Sequence, residues 1–124
     1  NIWIVKPAQA SCGRGIYLLT DLKDLPEMEE GPHVISKYIS NPLLVRGYKF
    51  DVRIYVLLTS IDPMRVYIYN EGLVRFASEP YSKAGGSQFS HLTNYSINKN
   101  SEKFVQNKTA EEQDVGNKWS LSAL

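Results

Sequence analysis

The chain has one cysteine, Cys12, so no disulfide can form within it, and a reducing setting is expected. Its only histidines are His33 and His91, and with no cysteine pair they make no zinc-type ligand set. No Ser-His-Asp pattern has usable context. Neither the Gly-Lys-Ser/Thr phosphate loop nor the dinucleotide glycine fingerprint occurs. No apolar stretch approaches the roughly 20 residues that span a bilayer. Net charge is +1, so the molecule as a whole exerts little pull on a polyanion, and any electrostatic function must be local. Neither nucleic acid nor a membrane is an expected partner. No internal repeat and no low-complexity tract is present.

What remains is 124 residues with 43% hydrophobic content, enough for one domain or a large part of one. Asn1-Ile2-Trp3-Ile4-Val5 opens directly as a strand, and Ser120-Leu121-Ser122-Ala123-Leu124 resembles the first turn of a helix. The chain is therefore expected to be an excerpt, residues 1–124 being part of one domain truncated at both ends.

Punctuation by proline, glycine and asparagine divides the chain. Ile2 to Val5 reads as a buried strand stopped at Lys6-Pro7, and Ile16 to Leu19 as its hairpin partner across a small-residue loop. Thr20-Asp21 caps a short helix over Leu22 to Leu25, stopped by Pro26. Glu27 to Pro32 is an acidic surface connection, and Val34 to Ile39 a strand. One long central strand is expected over Lys49 to Ser60, followed by strands over Met64 to Tyr69 and Leu73 to Ala77. Turns at Asp62-Pro63 and Asn70-Glu71-Gly72 would make these an antiparallel meander. Glu79 to Ser90 reads as a loop and His91 to Ile97 as irregular. Asn98 to Asn117 is polar and lacks periodicity, the pattern of a mobile surface loop, and Trp119 to Leu124 opens a helix.

The chemistry concentrates in Leu43 to Tyr55. From Lys49 onward charged and apolar residues alternate, so Lys49, Asp51 and Arg53 share one strand face and Phe50, Val52 and Ile54 the other. Such a strand presents charge to a cleft and an apolar row to a core, which suits a site handling a polyanion and a proton. The plainer reading is a solvated sheet face with offsetting charges. Lys6, at a strand end before the loop Ala10-Ser11-Cys12-Gly13-Arg14-Gly15, could place its ammonium on an enclosed phosphate or simply snorkel. The loop's glycines would let backbone N–H groups approach an anion. Arg75 sits among apolar neighbours and needs a carboxylate or phosphate; an internal ion pair with Asp51 or Glu79 would serve equally well. In His91-Leu92-Thr93-Asn94-Tyr95-Ser96 the default role of Thr and Asn is to turn backbone.

Taken in order, six segments make a joint pattern: Trp3-Ile4-Val5-Lys6-Pro7, the loop to Gly15-Ile16, Ser36-Lys37-Tyr38-Ile39, Lys49-Phe50-Asp51-Val52-Arg53, Glu71 to Ala77, and His91 to Ser96. Together with Gly116-Asn117-Lys118-Trp119 they closely resemble the tubulin–tyrosine ligase-like family, and within it the tubulin polyglutamylases. The resemblance implies an α+β, ATP-grasp fold, present here in part. It implies an ATP-dependent ligase that activates a carboxylate as an acyl phosphate and joins it to an amino acid. Tubulin or microtubules would be the acceptor and free glutamate the added residue. ATP and Mg²⁺ would be the cofactors, in a cytoplasmic, cytoskeletal setting that can extend to the cilium or basal body. By motif, Lys6, Cys12, Gly13, Ser36, Lys37, Tyr38, Ile39, Lys49, Phe50, Asp51, Thr93 and Asn94 would bind ATP. Arg75, Tyr95, Ser96 and Lys118 would hold the glutamate. Arg53 and Arg75 would act in catalysis, and no metal ligand is expected within this chain. Cys12 stands where these polyglutamylases usually carry Arg or Gln, a position tied to starting or lengthening a branch. The alternatives are a glycine or tyrosine ligase on the same scaffold and an inactive microtubule-binding protein.

Overall fold

The computed structural model describes residues 2–21, 23, 25–26, 31–83, 85–109 and 111–124. The helix expected over Leu22 to Leu25 and the acidic connection from Glu27 include residues 22, 24 and 27–30, which lie outside that set.

Most of the chain is antiparallel sheet. β1 (Trp3–Pro7) and β2 (Tyr17–Leu19) form the expected hairpin, with Val5 opposite Tyr17, and β3 (His33–Lys37) pairs along the other side of β1. Proline lacks the N–H that a ladder needs, which is why β1 stops at Pro7. β4 (Leu44–Val45) turns into β5 (Tyr48–Arg53), and β6 (Val56–Ile61) forms a hairpin with β7 (Met64–Ile68). β8 (Leu73–Phe76) runs back along β5. Two one-turn helices follow, α1 (Gln88–His91) and α2 (Tyr95–Asn98), and β9 (Lys118–Ser120) adds to the outer side of β8. The sheets are thus β2-β1-β3, β4-β5-β8-β9 and β6-β7.

The long strand expected over Lys49 to Ser60 is two strands, interrupted at Ile54-Tyr55. Between the pairs Arg53–Leu73 and Val56–Ile68, one chain advances three residues and its partner five. The surplus on the partner side is absorbed at Asn70 to Gly72, and such a bulge kinks a ribbon. Those residues were expected to reverse the chain; instead, among the described residues, β7 pairs with β6 alone and no meander forms. Gly72 is required at the kink, since a Cβ there would stand 2.5 Å from the Arg53 carbonyl oxygen.

The apolar row behind the charged one is only partly internal. Phe50 packs on the buried cluster of Val74, Phe76 and Trp119, whereas Val52 and Ile54 are 42% and 54% exposed. Trp119 lies in β9, opposite Val74, with its ring 4.7 Å from that of Phe76, so the helix expected from Trp119 is reduced to a 3₁₀ turn over Leu121–Ala123. Pairing with β8 buries the indole, a larger gain than the weak helical propensity of a six-residue end. The stretch from Asn98 to Asn117 is irregular but fastened. The Val105 N–H donates to Asn117 Oδ1 at 2.8 Å, and the Asn117 N–H returns to the Val105 carbonyl at 2.9 Å. The segment between His91 and Ile97, expected to be irregular, contains most of α2.

Candidate functional site

Register builds the charged face. Asp51 stands opposite Arg75, and Arg75 opposite Lys118, so one row crosses β5, β8 and β9 on the side away from the Trp119 cluster. The Arg75 guanidinium meets the Asp51 carboxylate side-on, Nη2 to Oδ2 at 2.7 Å and Nε to Oδ1 at 3.1 Å. Of the two partners open in the sequence, Asp51 is therefore the one chosen; Glu79 instead faces Lys103 at 3.6 Å. Guanidinium carries five N–H donors, and the pair with Asp51 uses the Nε and Nη2 edge, which leaves Nη1 for a second carboxylate.

Beside this row lies a cavity of about 340 Å³ whose wall includes Arg53, Arg75, Lys118, Tyr95 and Thr93. Three cations from three strands line it, and one of them, Arg75, is paired with Asp51. Thr93, expected with the nucleotide group, is on this wall. Ser96, expected with the amino acid, is not; its hydroxyl donates to the Cys12 carbonyl at 2.7 Å.

That bond ties the glycine loop to α2. Cys12 and Gly13 both have positive φ, 60° and 81°. A Cβ on Gly13 would lie 2.5 Å from Ile97 Cδ1 and 3.0 Å from Asn94 Oδ1, so only glycine allows the loop to sit this close. Cys12, Gly13 and Asn94, far apart in sequence, are thus neighbours.

A second polar knot holds Lys49. Its ammonium donates to the Tyr38 hydroxyl at 3.0 Å and to the His91 carbonyl at 2.9 Å, and stands 4.8 Å from the Tyr38 ring centre. The Tyr38 hydroxyl also lies 3.0 Å from His91 Nδ1, donating to it when the imidazole proton is on Nε2 and accepting from it when that proton is on Nδ1. Burial pushes the Lys49 pKa below its ordinary value, Lys6 pushes it further, and Asp51 partly offsets both. Burial, then the Lys49 charge, holds the His91 imidazole below its ordinary range. Burial, then the Tyr81 hydrogen bond, pushes the Tyr38 hydroxyl well above its own.

The remaining expected residues are more scattered. Ser36 and Lys37 are opposite Ile4 and Trp3 in the first sheet. The Tyr38 N–H is already donated to the Ile2 carbonyl at 2.8 Å, and Ile39 is 73% exposed. Phe50 points into the apolar cluster, so only its backbone shares a side with Lys49 and Asp51. A cavity of about 420 Å³ lies between β2 and α1, lined by Tyr17, Leu18, Gly86, Gln88 and His91 among others, and none of the expected nucleotide residues lines it. Among the described residues no group of three or more His, Cys, Asp or Glu could hold a metal ion.

Sequence reasoning missed Asn98, which it assigned to the edge of a loop. Its side chain is 1% exposed and saturated. Oδ1 accepts from the Ser78 N–H and hydroxyl, both at 2.8 Å, while Nδ2 donates to the Leu92 and Asn94 carbonyls at 2.7 and 3.0 Å. It clamps the Thr93-Asn94 turn from both ends. A carboxamide, in asparagine as in glutamine, offers two acceptor and two donor sites at once, and that is the trace in the sequence. Asn98→Ala strands those buried partners and should cost about 2 kcal/mol of stability, read as a lower denaturation midpoint of the full-length protein. A midpoint within error of the parent would refute the clamp.

The tubulin-tyrosine ligase family model matches residues 1–124. Over 98% of its length the chain is 51% identical to the tubulin polyglutamylase TTLL5 of Mus musculus, 48% to the tubulin polyglutamylase ttll-5 of Caenorhabditis elegans and 45% to the tubulin monoglutamylase TTLL4 of Homo sapiens. It spans 9%, 17% and 10% of those three proteins.

Proposed function

This chain belongs to the tubulin-tyrosine ligase family, and on that premise we propose that the whole protein is an ATP-dependent ligase adding glutamate to glutamate side chains of tubulin tails. In this reading the sheets are parts of an ATP-grasp fold, with ATP between β1 and β5. Lys6 and Lys49 receive its phosphates, and the Cys12-Gly13 loop covers them. Supporting this is the meeting of separated cations: Lys49 feels Lys6, and Arg53, Arg75 and Lys118 share one cavity. Two of the relatives above carry the name tubulin polyglutamylase, which favours glutamate over glycine or tyrosine as the added residue. Several cations in one pocket also suit an amino acid with two carboxylates better than glycine.

The reaction has two displacements. An oxygen of the acceptor carboxylate attacks the γ-phosphorus of ATP, and ADP leaves with the electrons of the broken P–O bond. The amine of the incoming glutamate then attacks the acyl carbon, phosphate departs, and the ammonium's proton goes to solvent or a base. Lys6, Lys49 and Arg53 contribute fixed positive charge where negative charge accumulates, the main source of catalysis in phosphoryl transfer. Arg75 and Lys118 orient the incoming carboxylates. Magnesium would neutralise part of the phosphate charge when bound. The setting proposed is cytoplasmic and cytoskeletal, extending to cilium or basal body.

The test is ATP-dependent incorporation of labelled glutamate into microtubules by the full-length protein. Incorporation should resist competition by unlabelled glycine and tyrosine and should collapse in Lys6→Ala and Asp51→Ala. Incorporation unchanged in both variants would remove the proposed site. Labelled glycine taken up in preference would replace glutamate as the substrate.

A further inference from the structure

We propose that His91 is a positioning residue for the nucleotide site: through the Tyr38 hydroxyl and its own carbonyl it fixes where the Lys49 ammonium points. The inference rests on the reading of Lys49 as a phosphate contact.

The geometry is a closed ring of partners. Lys49 Nζ has two bonds in the knot, and both lead to His91: one directly to its carbonyl, the other by way of Tyr38, whose hydroxyl is bonded to Nδ1. His91 is itself held still. It is 3% exposed at the end of α1, with the Tyr38 and Tyr81 rings edge-on at 5.6 and 5.3 Å. Gly86 approaches it closely, since a Cβ there would stand 2.8 Å from Nε2. Tyr81 is anchored in turn by its hydroxyl on the Ser40 carbonyl at 2.9 Å.

Lysine has a flexible four-carbon stem and three rotatable donors. Two donors committed to His91 and Tyr38 leave the third with a fixed direction, so no ordering remains to be done when an anion arrives. The device as proposed has Nδ1 accepting from Tyr38, that is, the imidazole neutral with its proton on Nε2. The ionisable groups around it are Tyr38, Tyr81 and Lys49, with Lys6 and Asp51 beyond Lys49. None of those in contact offers a carboxylate that would favour imidazolium. Without His91 Nδ1, the Tyr38 hydroxyl can turn its proton toward Lys49 and oppose the ammonium.

The experiment measures KM for ATP, KM for glutamate and kcat in the full-length protein carrying His91→Leu, His91→Asn, Tyr38→Phe, the double variant Tyr38→Phe/His91→Leu, or Lys49→Met. Asparagine can place its amide oxygen near the position of Nδ1; leucine cannot. We expect His91→Leu and Tyr38→Phe each to raise KM for ATP about tenfold, the worth of a hydrogen bond to a charged group, with KM for glutamate unchanged. His91→Asn should stay within about threefold of the parent, and the double variant should be no worse than the more severe single change, as for residues acting through one bond. Equal losses in the leucine and asparagine variants, additive losses in the double variant, or parallel rises in both KM values would overturn the proposal. If His91→Leu does not fold, His91→Gln, whose longer side chain does not place an acceptor at Nδ1, replaces it in the single and double variants, because Tyr38→Phe alone removes the direct Lys49 bond. Lys49→Met separates the two levels. If it leaves KM for ATP unchanged, the nucleotide-site reading itself fails; if it raises KM while Tyr38→Phe does not, only the role of His91 fails.

Discussion

Lys49→Met in the full-length protein should lower ATP-dependent glutamate incorporation on the order of 100-fold, the usual cost of removing one pre-aimed charge from a phosphoryl-transfer site. The side chain is part-buried and held by two hydrogen bonds, at 2.9 and 3.0 Å, so its charge is already in place before substrate binds. Its ammonium is disfavoured by burial and by Lys6, and Asp51 offsets only part of this. The variant relieves that conflict, so its denaturation midpoint should not fall even as activity does. Methionine preserves the stem and removes only the ammonium, which makes the comparison one of charge. A loss under threefold, or a loss matched by a lower midpoint, would mean that Lys49 is structural.

Arg75→Gln should lower kcat/KM for glutamate by a similar factor of about 100 while leaving ATP affinity nearly unchanged. Two effects combine. The pocket loses the Arg75 contribution to carboxylate recognition, and Asp51 loses its side-on partner and turns an uncompensated negative charge toward an anionic substrate. Asp51→Asn/Arg75→Gln removes the second effect and should lower KM for glutamate relative to Arg75→Gln, even though the loss of Asp51 from the nucleotide site keeps kcat low. Steady-state kinetics with glutamate varied at saturating ATP, and the reverse, separate the substrates. A drop confined to ATP affinity would move Arg75 to the nucleotide, and an unchanged KM for glutamate in the double variant would show that the Asp51 charge does not oppose that substrate.

What was legible in the sequence was local. The β1-β2 hairpin follows from Pro7, the glycine loop and Ile16 to Leu19, and the shared face of Lys49, Asp51 and Arg53 follows from strict alternation. The choice of Asp51 over Glu79 as partner for Arg75 needed register, which depends on how many residues the kink at Asn70 to Gly72 absorbs. The same kink hid the break at Ile54-Tyr55, because residues 54 to 58 continue in strand-forming types without punctuation. Helices of one turn have too few residues to show a period, so α1 and α2 left no trace. The Asn98 clamp and the Lys49-Tyr38-His91 knot are contacts across as many as 53 residues, made by groups whose usual roles are bland. Trp119 was misplaced for the same reason: its partner, Val74, lies 45 positions earlier.

The ribbon of β6 and β7 bears on how the molecule must be handled. Ile61, Met64, Ile68 and Tyr69 are each at least 65% exposed, and Leu57 and Tyr67, paired across the strands, exceed 55%. A two-stranded sheet with unpaired edges and greasy side chains on both faces is a ready template for strand-by-strand stacking. A reagent cut to these 124 residues would be sticky, and its turbidity and dye-binding signals would describe clumping rather than enzymology. Kinetic work therefore belongs with longer polypeptides, purified dilute and checked for monodispersity before substrate is added.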